Sequence, residues 1–227
     1  MTRVRVSPDR LLAHREGDLT PPKTCEALLF DWDGTLADST SANYASLHRA
    51  LTGTGAALTR DWFDRRTGLS TREMVSIIAA EQRLDLDTDS VVALRDRAYL
   101  GLLSEVRAVR PLAALARREH GRRRTAVASG SGAHTLHPTI DALGLRLLFD
   151  TIVTREDAQR GKPAPDLFLE ALHRLKVPVA RALVYEDSDE GVEAALRAGV
   201  SVVDVRPLTG RGHLVPPAPG AGAVSPR

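Results

Sequence analysis

Four short stretches of this chain combine residue types that could hold a phosphate and a hard cation. Residues 28–38 read L-L-F-D-W-D-G-T-L-A-D, so the apolar run 27–30 stops at a carboxylate. Residues two apart in extended chain point the same way, which lets Asp31 and Asp33 share the space beyond a strand end. Gly34 permits the tight turn that must follow. Ser129 closes a second apolar run and leads into Gly130-Ser131-Gly132. A hydroxyl with exposed backbone N–H groups at a helix start would cradle a phosphate. In G-K-P-A-P-D, Pro163 and Pro165 stiffen the loop that carries Lys162, and Pro165 suits the first position of a helix. Glu186-Asp187 ends a further apolar run, and adjacent carboxylates there suit a cation that takes oxygen ligands, such as Mg²⁺. Each stretch also has a plainer reading. These are a solvated acidic turn, an ordinary strand-to-helix turn, a surface lysine, and an acid-enriched helix N-terminus that Asp189 and Glu190 fit better.

The elements that must position these groups follow from periodicity. Short apolar runs at 27–30, 125–129, 151–154, 182–185 and 201–205 read as strands buried on both faces. Helical patterns at 112–120, 134–143, 165–175 and 190–198 lie between them, and Gly144 and Gly199 fall where helix C-terminal glycines belong. This alternation predicts an α/β fold, a doubly wound parallel sheet. Open sheets of this kind bind ligands at the carboxyl ends of their strands. Residues 39–107 differ, carrying helical spacings at Tyr44, Leu47, His48 and Leu51, at Met74, Ile77 and Ile78, and at Val91, Leu94, Ala98, Leu102 and Val106. They predict an inserted helical domain, with Asp38-Ser39-Thr40-Ser41 offering oxygens to cap its first helix. The core would then comprise 25–38 and 108–208. Residues 1–24 read as an extension with a short helical turn at 10–15, and 209–227, rich in Pro, Gly and Ala, as a flexible tail.

The four motifs, in this order and at these strand ends, resemble those of the haloacid dehalogenase (HAD) superfamily of phosphotransferases. F-D-W-D-G-T-L-A-D is similar to its first motif and G-K-P-A-P-D to its third, and the resemblance covers about residues 26–208. E-D-S-D-E-G-V-E-A-A-L-R-A-G is similar to the beta-phosphoglucomutase and sugar-phosphate phosphatase branch, and V-V-D-V-R-P-L to its fructose-1-phosphatases. The resemblance implies a HAD-like Rossmannoid core with an inserted helical cap. It implies Asp31 as the nucleophile that becomes an aspartyl phosphate and Asp33 as general acid and then base. It implies Mg²⁺ held by Asp31, the Asp33 backbone carbonyl, Glu186 and Asp187, with Ser129, Gly130 and Lys162 gripping the phosphoryl. Arg72, in G-L-S-T-R-E, is a candidate for the substrate's distal charge, though a solvated helix residue reads equally well.

The expected activity is Mg²⁺-dependent hydrolysis of a small phosphorylated metabolite, a sugar phosphate above all. A phosphomutase is the alternative, and a non-catalytic binding protein a further one. Gly132 and Ala133 stand where the mutase resemblance expects Lys-Asn, and Asn43 where it expects a histidine, which favours hydrolysis. The second aspartate of D-x-D argues for phosphate esters over haloacids.

Composition sets outer bounds. In 227 residues, 31 basic and 29 acidic side chains nearly cancel, which gives little reason to expect nucleic-acid binding. The basic run 117–124 lacks interleaved aromatics for base stacking. No stretch reaches the roughly 18 apolar residues of a membrane span. Cys25 is the only cysteine, so a disulfide within the chain is impossible and a reducing compartment suits it. The expectation is a cytoplasmic monomer whose partner is a small phosphate ester, with neither nucleic acid nor membrane.

Overall fold

In the computed structural model, residues 8–210 are described. The elements run β1 (Arg10–Leu12), β2 (Ala27–Phe30), β3 (Ala37–Asp38), α1 (Thr40–Leu51), α2 (Arg60–Asp64), α3 (Thr71–Gln82), α4 (Thr88–Leu100) and β4 (Arg107–Ala108). They continue through α5 (Arg110–Glu119), β5 (Arg124–Ala128), α6 (Ala133–Ala142), β6 (Thr151–Val153), α7 (Asp166–Leu175), β7 (Ala182–Glu186), α8 (Asp189–Arg197), β8 (Ser201–Asp204) and α9 (Arg206–Thr209).

Six strands form one parallel sheet in the order β1-β8-β7-β2-β5-β6. Because side chains alternate along each strand, the sheet feeds two separate cores. Leu28, Phe30, Val127, Leu183, Tyr185 and Val203 face one layer, where α5 and α6 contribute Leu112, Leu115, Leu136 and Ile140. Ala27, Leu29, Ala126, Val184 and Val202 face the other, packed by Leu167, Phe168 and Leu172 of α7 and by Val192 and Ala195 of α8. Both faces are covered, which is why the strands read as unbroken apolar runs.

Register decides what meets at the top of the sheet. Phe30 pairs with Tyr185 on one side and with Val127 on the other. The residues at or just beyond the ends of β2, β5 and β7 (Asp31, Ser129 and Glu186-Asp187) are therefore neighbours. Gly34 makes the turn after β2 with φ of +94°, a region that side chains with a Cβ rarely enter.

The helices α1–α4 sit between β3 and β4, which pair antiparallel through Ala37–Ala108 and Asp38–Arg107. Two-residue strands are too short to leave a periodic signal in sequence. The helices bury their own small core of Leu47, Leu51, Phe63, Met74, Val75, Ile78 and Val91. The face of α4 differs from the one its spacing suggests: Val91, Arg95 and Tyr99 are buried, Leu94 is 50% exposed, and the helix ends before Leu102. A burial pattern that includes an arginine cannot be read from apolar periodicity.

The N-terminal segment also differs from expectation. Residues 10–12 are a strand added to the edge of the sheet, where a helical turn was expected, and Glu16–Leu19 is a short 3-10 helix. The Ala13 N–H donates to the Asp204 carbonyl at 3.0 Å, and the Tyr185 hydroxyl donates to the Leu19 carbonyl at 2.7 Å. Asp204, 1% exposed at the end of β8, accepts from Arg10 at 2.5 Å and from Arg206 at 2.7 Å. Arg206 in turn reaches Asp189 at 2.8 Å. Most of the expected tail, 211–227, lies outside the described residues, as does 1–7.

Three arginines of the basic run have structural partners: Arg118 and Arg123 pair with the buried Glu119, and Arg124 with Asp150. Cys25 is buried beside the Ala27 carbonyl, and burial pushes its thiol pKa up, which suits a packed side chain. Among the described residues no helix is long and apolar enough to cross a membrane.

Burial disfavours the charge of Asp204, but the hydrogen bonds from Arg206 and Arg10 outweigh it and hold the carboxyl below its ordinary range. A folded-state pKa below the unfolded value stabilises the fold above about pH 4 and ceases to do so as pH falls through the lower folded value. Asp204→Asn should lower the thermal midpoint at pH 7 and flatten the acid limb of the stability profile. Deleting residues 1–24 should also lower the midpoint, because it uncovers the β8 edge. A truncated chain as stable as the whole would show that β1 is not part of the cooperative fold.

Candidate active site

Asp31 follows β2, and its Oδ1 lies 2.5 Å from the Lys162 Nζ. The same ammonium donates to Glu186 Oε2 at 2.7 Å, and all three residues are at least 94% buried. Lys162 comes from the loop before α7, where the Lys162–Pro163 peptide is cis. Glu186 Oε1 accepts from the backbone N–H groups of Asp187 and Ser188, each at 3.0 Å, and from the Ser188 hydroxyl at 2.9 Å. Thr35 of the D-G-T turn donates to Asp187 Oδ1 at 3.0 Å.

Gly191 makes the Glu186 position possible. A Cβ on Gly191 would stand 2.0 Å from the Glu186 carboxyl carbon, so the carboxylate occupies the space a side chain would need. Gly68, between α2 and α3, makes a comparable approach. A Cβ there would lie 2.7 Å from the Ser188 hydroxyl and 2.8 Å from Glu190, so the helical insertion is seated directly on the loop after β7.

Asp31, Glu186 and Asp187 each offer a carboxylate oxygen, and these oxygens lie within 4.8 Å of one another. Three carboxylates thus face one ammonium in a buried space. Burial and the Glu186 charge push the Asp31 carboxyl well above its ordinary range, against the pull of Lys162. Burial works against the Lys162 charge, yet Asp31 and Glu186 hold its pKa above normal. An all-oxygen donor set with surplus negative charge fits a hard divalent cation such as Mg²⁺. The Asp33 side chain is outside this cluster.

Asp33 belongs to a second network. Its Oδ1 accepts from Ser39 at 2.5 Å and from Asn43 at 2.9 Å, and its Oδ2 from Ser131 at 2.6 Å. Ser39 precedes α1 as its cap residue, but its hydroxyl is given to Asp33 and makes no cap hydrogen bond. The Asn43 amide is oriented by Arg95, which donates to the Asn43 carbonyl oxygen and, at 2.9 Å, to Asp96. Linker, insertion and core thus each supply one hydrogen bond to the same carboxylate.

Of the residues singled out in sequence, Asp31, Lys162, Glu186 and Asp187 converge, with Asp33 in the adjoining network. Ser129, 1% exposed at the end of β5, accepts from the Ser131 N–H at 3.0 Å, which shapes the turn. Gly130 faces the insertion, where a Cβ would lie 3.5 Å from the Gly68 carbonyl. Arg72 does not join the site: its side chain is 59% exposed and pairs with Asp89. Sequence gives Thr35, Ser39 (read only as a helix cap), Ser131, Gly191 and Arg95 no part in the site. The first four lie inside or beside the motifs, whereas Arg95 has no local signal.

The profile of haloacid dehalogenase-like hydrolases matches residues 28–205, and the chain belongs to that family. Fructose-1-phosphate phosphatase YqaB of Escherichia coli (strain K12) is 32% identical over 181 residues, covering 80% of this chain and 96% of the relative. Phosphorylated carbohydrates phosphatase of Thermotoga maritima is 32% identical over 179 residues, covering 77% and 82%. Among solved structures, CbbY from Rhodobacter sphaeroides in complex with phosphate superposes with a TM-score of 0.73 at 26% identity, covering 80% of this chain and 86% of that one.

Gly191→Ala should expel the Glu186 carboxylate from its position and free Lys162 from one of its two partners. We expect turnover of any substrate to fall more than about tenfold with the circular dichroism spectrum intact, since the cost falls on side-chain placement. Wild-type turnover would mean that the close approach is without consequence.

Proposed function

We propose that the protein is a divalent-metal-dependent phosphatase that hydrolyses a small phosphorylated carbohydrate through an aspartyl phosphate. The observation that carries this reading is the buried convergence of Asp31, Lys162, Glu186 and Asp187, with Asp33 beside it. Two relatives named as phosphatases of fructose 1-phosphate and of phosphorylated carbohydrates support the substrate class.

In the first step an Asp31 oxygen forms a bond to phosphorus while the bond from phosphorus to the ester oxygen breaks. Asp33 gives its proton to the departing oxygen, which leaves as an alcohol. In the second step Asp33 takes a proton from water, the water oxygen attacks phosphorus, and the Asp31 carboxylate is released with inorganic phosphate. The covalent intermediate divides one difficult displacement into two easier ones. Lys162 neutralises charge on the transferring phosphoryl oxygens, the main task in this chemistry. Mg²⁺ held by Asp31, Glu186 and Asp187 would supply further neutralisation and fix the phosphoryl in line. Ser129 and the Gly130 backbone complete the phosphoryl cradle. Ser39, Asn43 and Ser131 hold Asp33 in position for both proton transfers.

Asp31→Asn should lower phosphate release by at least about a thousandfold without unfolding the chain. EDTA should abolish release and Mg²⁺ restore it. Near-normal turnover in either test would refute the assigned chemistry. Product analysis separates hydrolase from mutase: free phosphate should accumulate without a bisphosphate activator, and isomerised sugar phosphate as the main product would favour the mutase.

A further inference from the structure

Asp33 lines two very different surroundings. Toward Asp31 lie Lys162 and the acidic cluster. On its other side is a partly open cavity of about 30 Å³ between core and insertion, lined by Ser131, Thr40, Asn43 and Arg95 among others. The carboxylate that protonates the leaving oxygen faces this cavity, so the leaving group must occupy it as the insertion adjusts around substrate.

The wall of this cavity is nearly without free charge. Thr40, Thr67 and Thr71 offer hydroxyls, the Asn43 amide and Ser131 hydroxyl are held by Asp33, and Leu47, Phe63, Leu69 and Met74 supply an apolar side. Arg95 is the one cation among the lining residues, and it is already engaged. Its two terminal nitrogens donate to Asn43 and Asp96, and its guanidinium carbon lies 4.8 Å from the centre of the Tyr99 ring. The Arg95 charge is balanced by Asp96, so the cavity wall has no cation left to receive a second anion. A second phosphate or a carboxylate entering here would give up hydration without gaining a cation, whereas hydroxyl groups would find partners.

The geometry points to phosphate monoesters of a small, electrically neutral polyol or sugar as the substrates, with selection against leaving groups that carry a second anionic group. This rests on the phosphatase reading and narrows it. The competing place for a second anion is the open groove of about 900 Å³ that shares Thr40 and Thr67 with the cavity and carries Arg10, Arg60, Arg65, Arg107 and Arg206. Arg60 is paired with Asp64 at 2.8 Å, Arg10 and Arg206 share the buried Asp204, and the groove also holds Asp38, Asp187, Asp189 and Glu190.

The test compares substrates in pairs that differ by one anionic group. Fructose 1-phosphate is set against fructose 1,6-bisphosphate, and glycerol 1-phosphate against phosphoglycolate, using the full chain with Mg²⁺. The neutral member of each pair should have at least about tenfold higher kcat/KM. The same order should appear in binding to Asp31→Asn by calorimetry, which reads selection without turnover. Thr71→Lys, which places a cation in the cavity wall, should narrow the first pair's ratio in favour of the bisphosphate. Equal or reversed kcat/KM would overturn the inference, and a reversal lost in Arg65→Ala would move the leaving group to the groove. Absence of phosphate release from all four, with the binding order retained, would reject the phosphatase reading and leave the selectivity standing.

Discussion

The bridge that Lys162 makes between Asp31 and Glu186 is the constraint on which the rest of the site depends. A buried carboxylate is costly unless paired, and a buried ammonium equally so. Here three carboxylates and one ammonium share a space nearly closed to solvent, and no single member could remain charged there alone. Their convergence has a plain structural origin. Phe30 pairs in register with Tyr185, so the ends of β2 and β7 are level, and Lys162 arrives from the loop before α7. The close approach of Gly191 then gives the Glu186 carboxylate its room. Sheet register, one loop and one missing side chain thus set the electrostatics of the site.

The second constraint is division of labour between the two carboxylates of D-x-D. They are two residues apart, yet they answer to different surroundings. Asp31 faces charge, whereas Asp33 faces neutral donors drawn from linker, insertion and core. Within the proposed mechanism this separation suits a nucleophile that must be charge-balanced and a proton carrier that must stay aligned with the leaving group.

Much of the core was legible in sequence because buried parallel strands leave short apolar runs, and because the motif residues lie at their ends. The predicted strands and helices of 125–205 fall within a residue or two of those observed. What escaped did so for physical reasons. β1 is three residues long with all three exposed, held by backbone pairing and the buried Asp204, so its two leucines fall short of the four- to five-residue buried run that marks β2, β5 and β7. Arg95 is buried on a helix face where periodicity looks only for apolar side chains. Arg72 offered a cation at the head of a helix, but its position on α3 turns it toward Asp89 and solvent. Side-chain direction within a helix depends on how that helix is seated, and a short motif does not contain that information.

The paired strands β3 and β4 join the helical insertion to the core as a two-stranded ribbon, with Ala37 bonded to Ala108 and Asp38 to Arg107. Two separate linkers would let the insertion slide, twist and tilt. A ribbon resists shear in its own plane and bends most readily across it, so the seam behaves as a leaf spring with one soft direction. Ser39 sits just beyond the end of that spring and Asn43 one helical turn further, both in contact with Asp33. Any shift of the insertion against the core would act on both of these hydrogen bonds. Within the proposed mechanism, Asp33 would therefore be held in line only while the insertion is seated on the core, a constraint written into two residues of backbone.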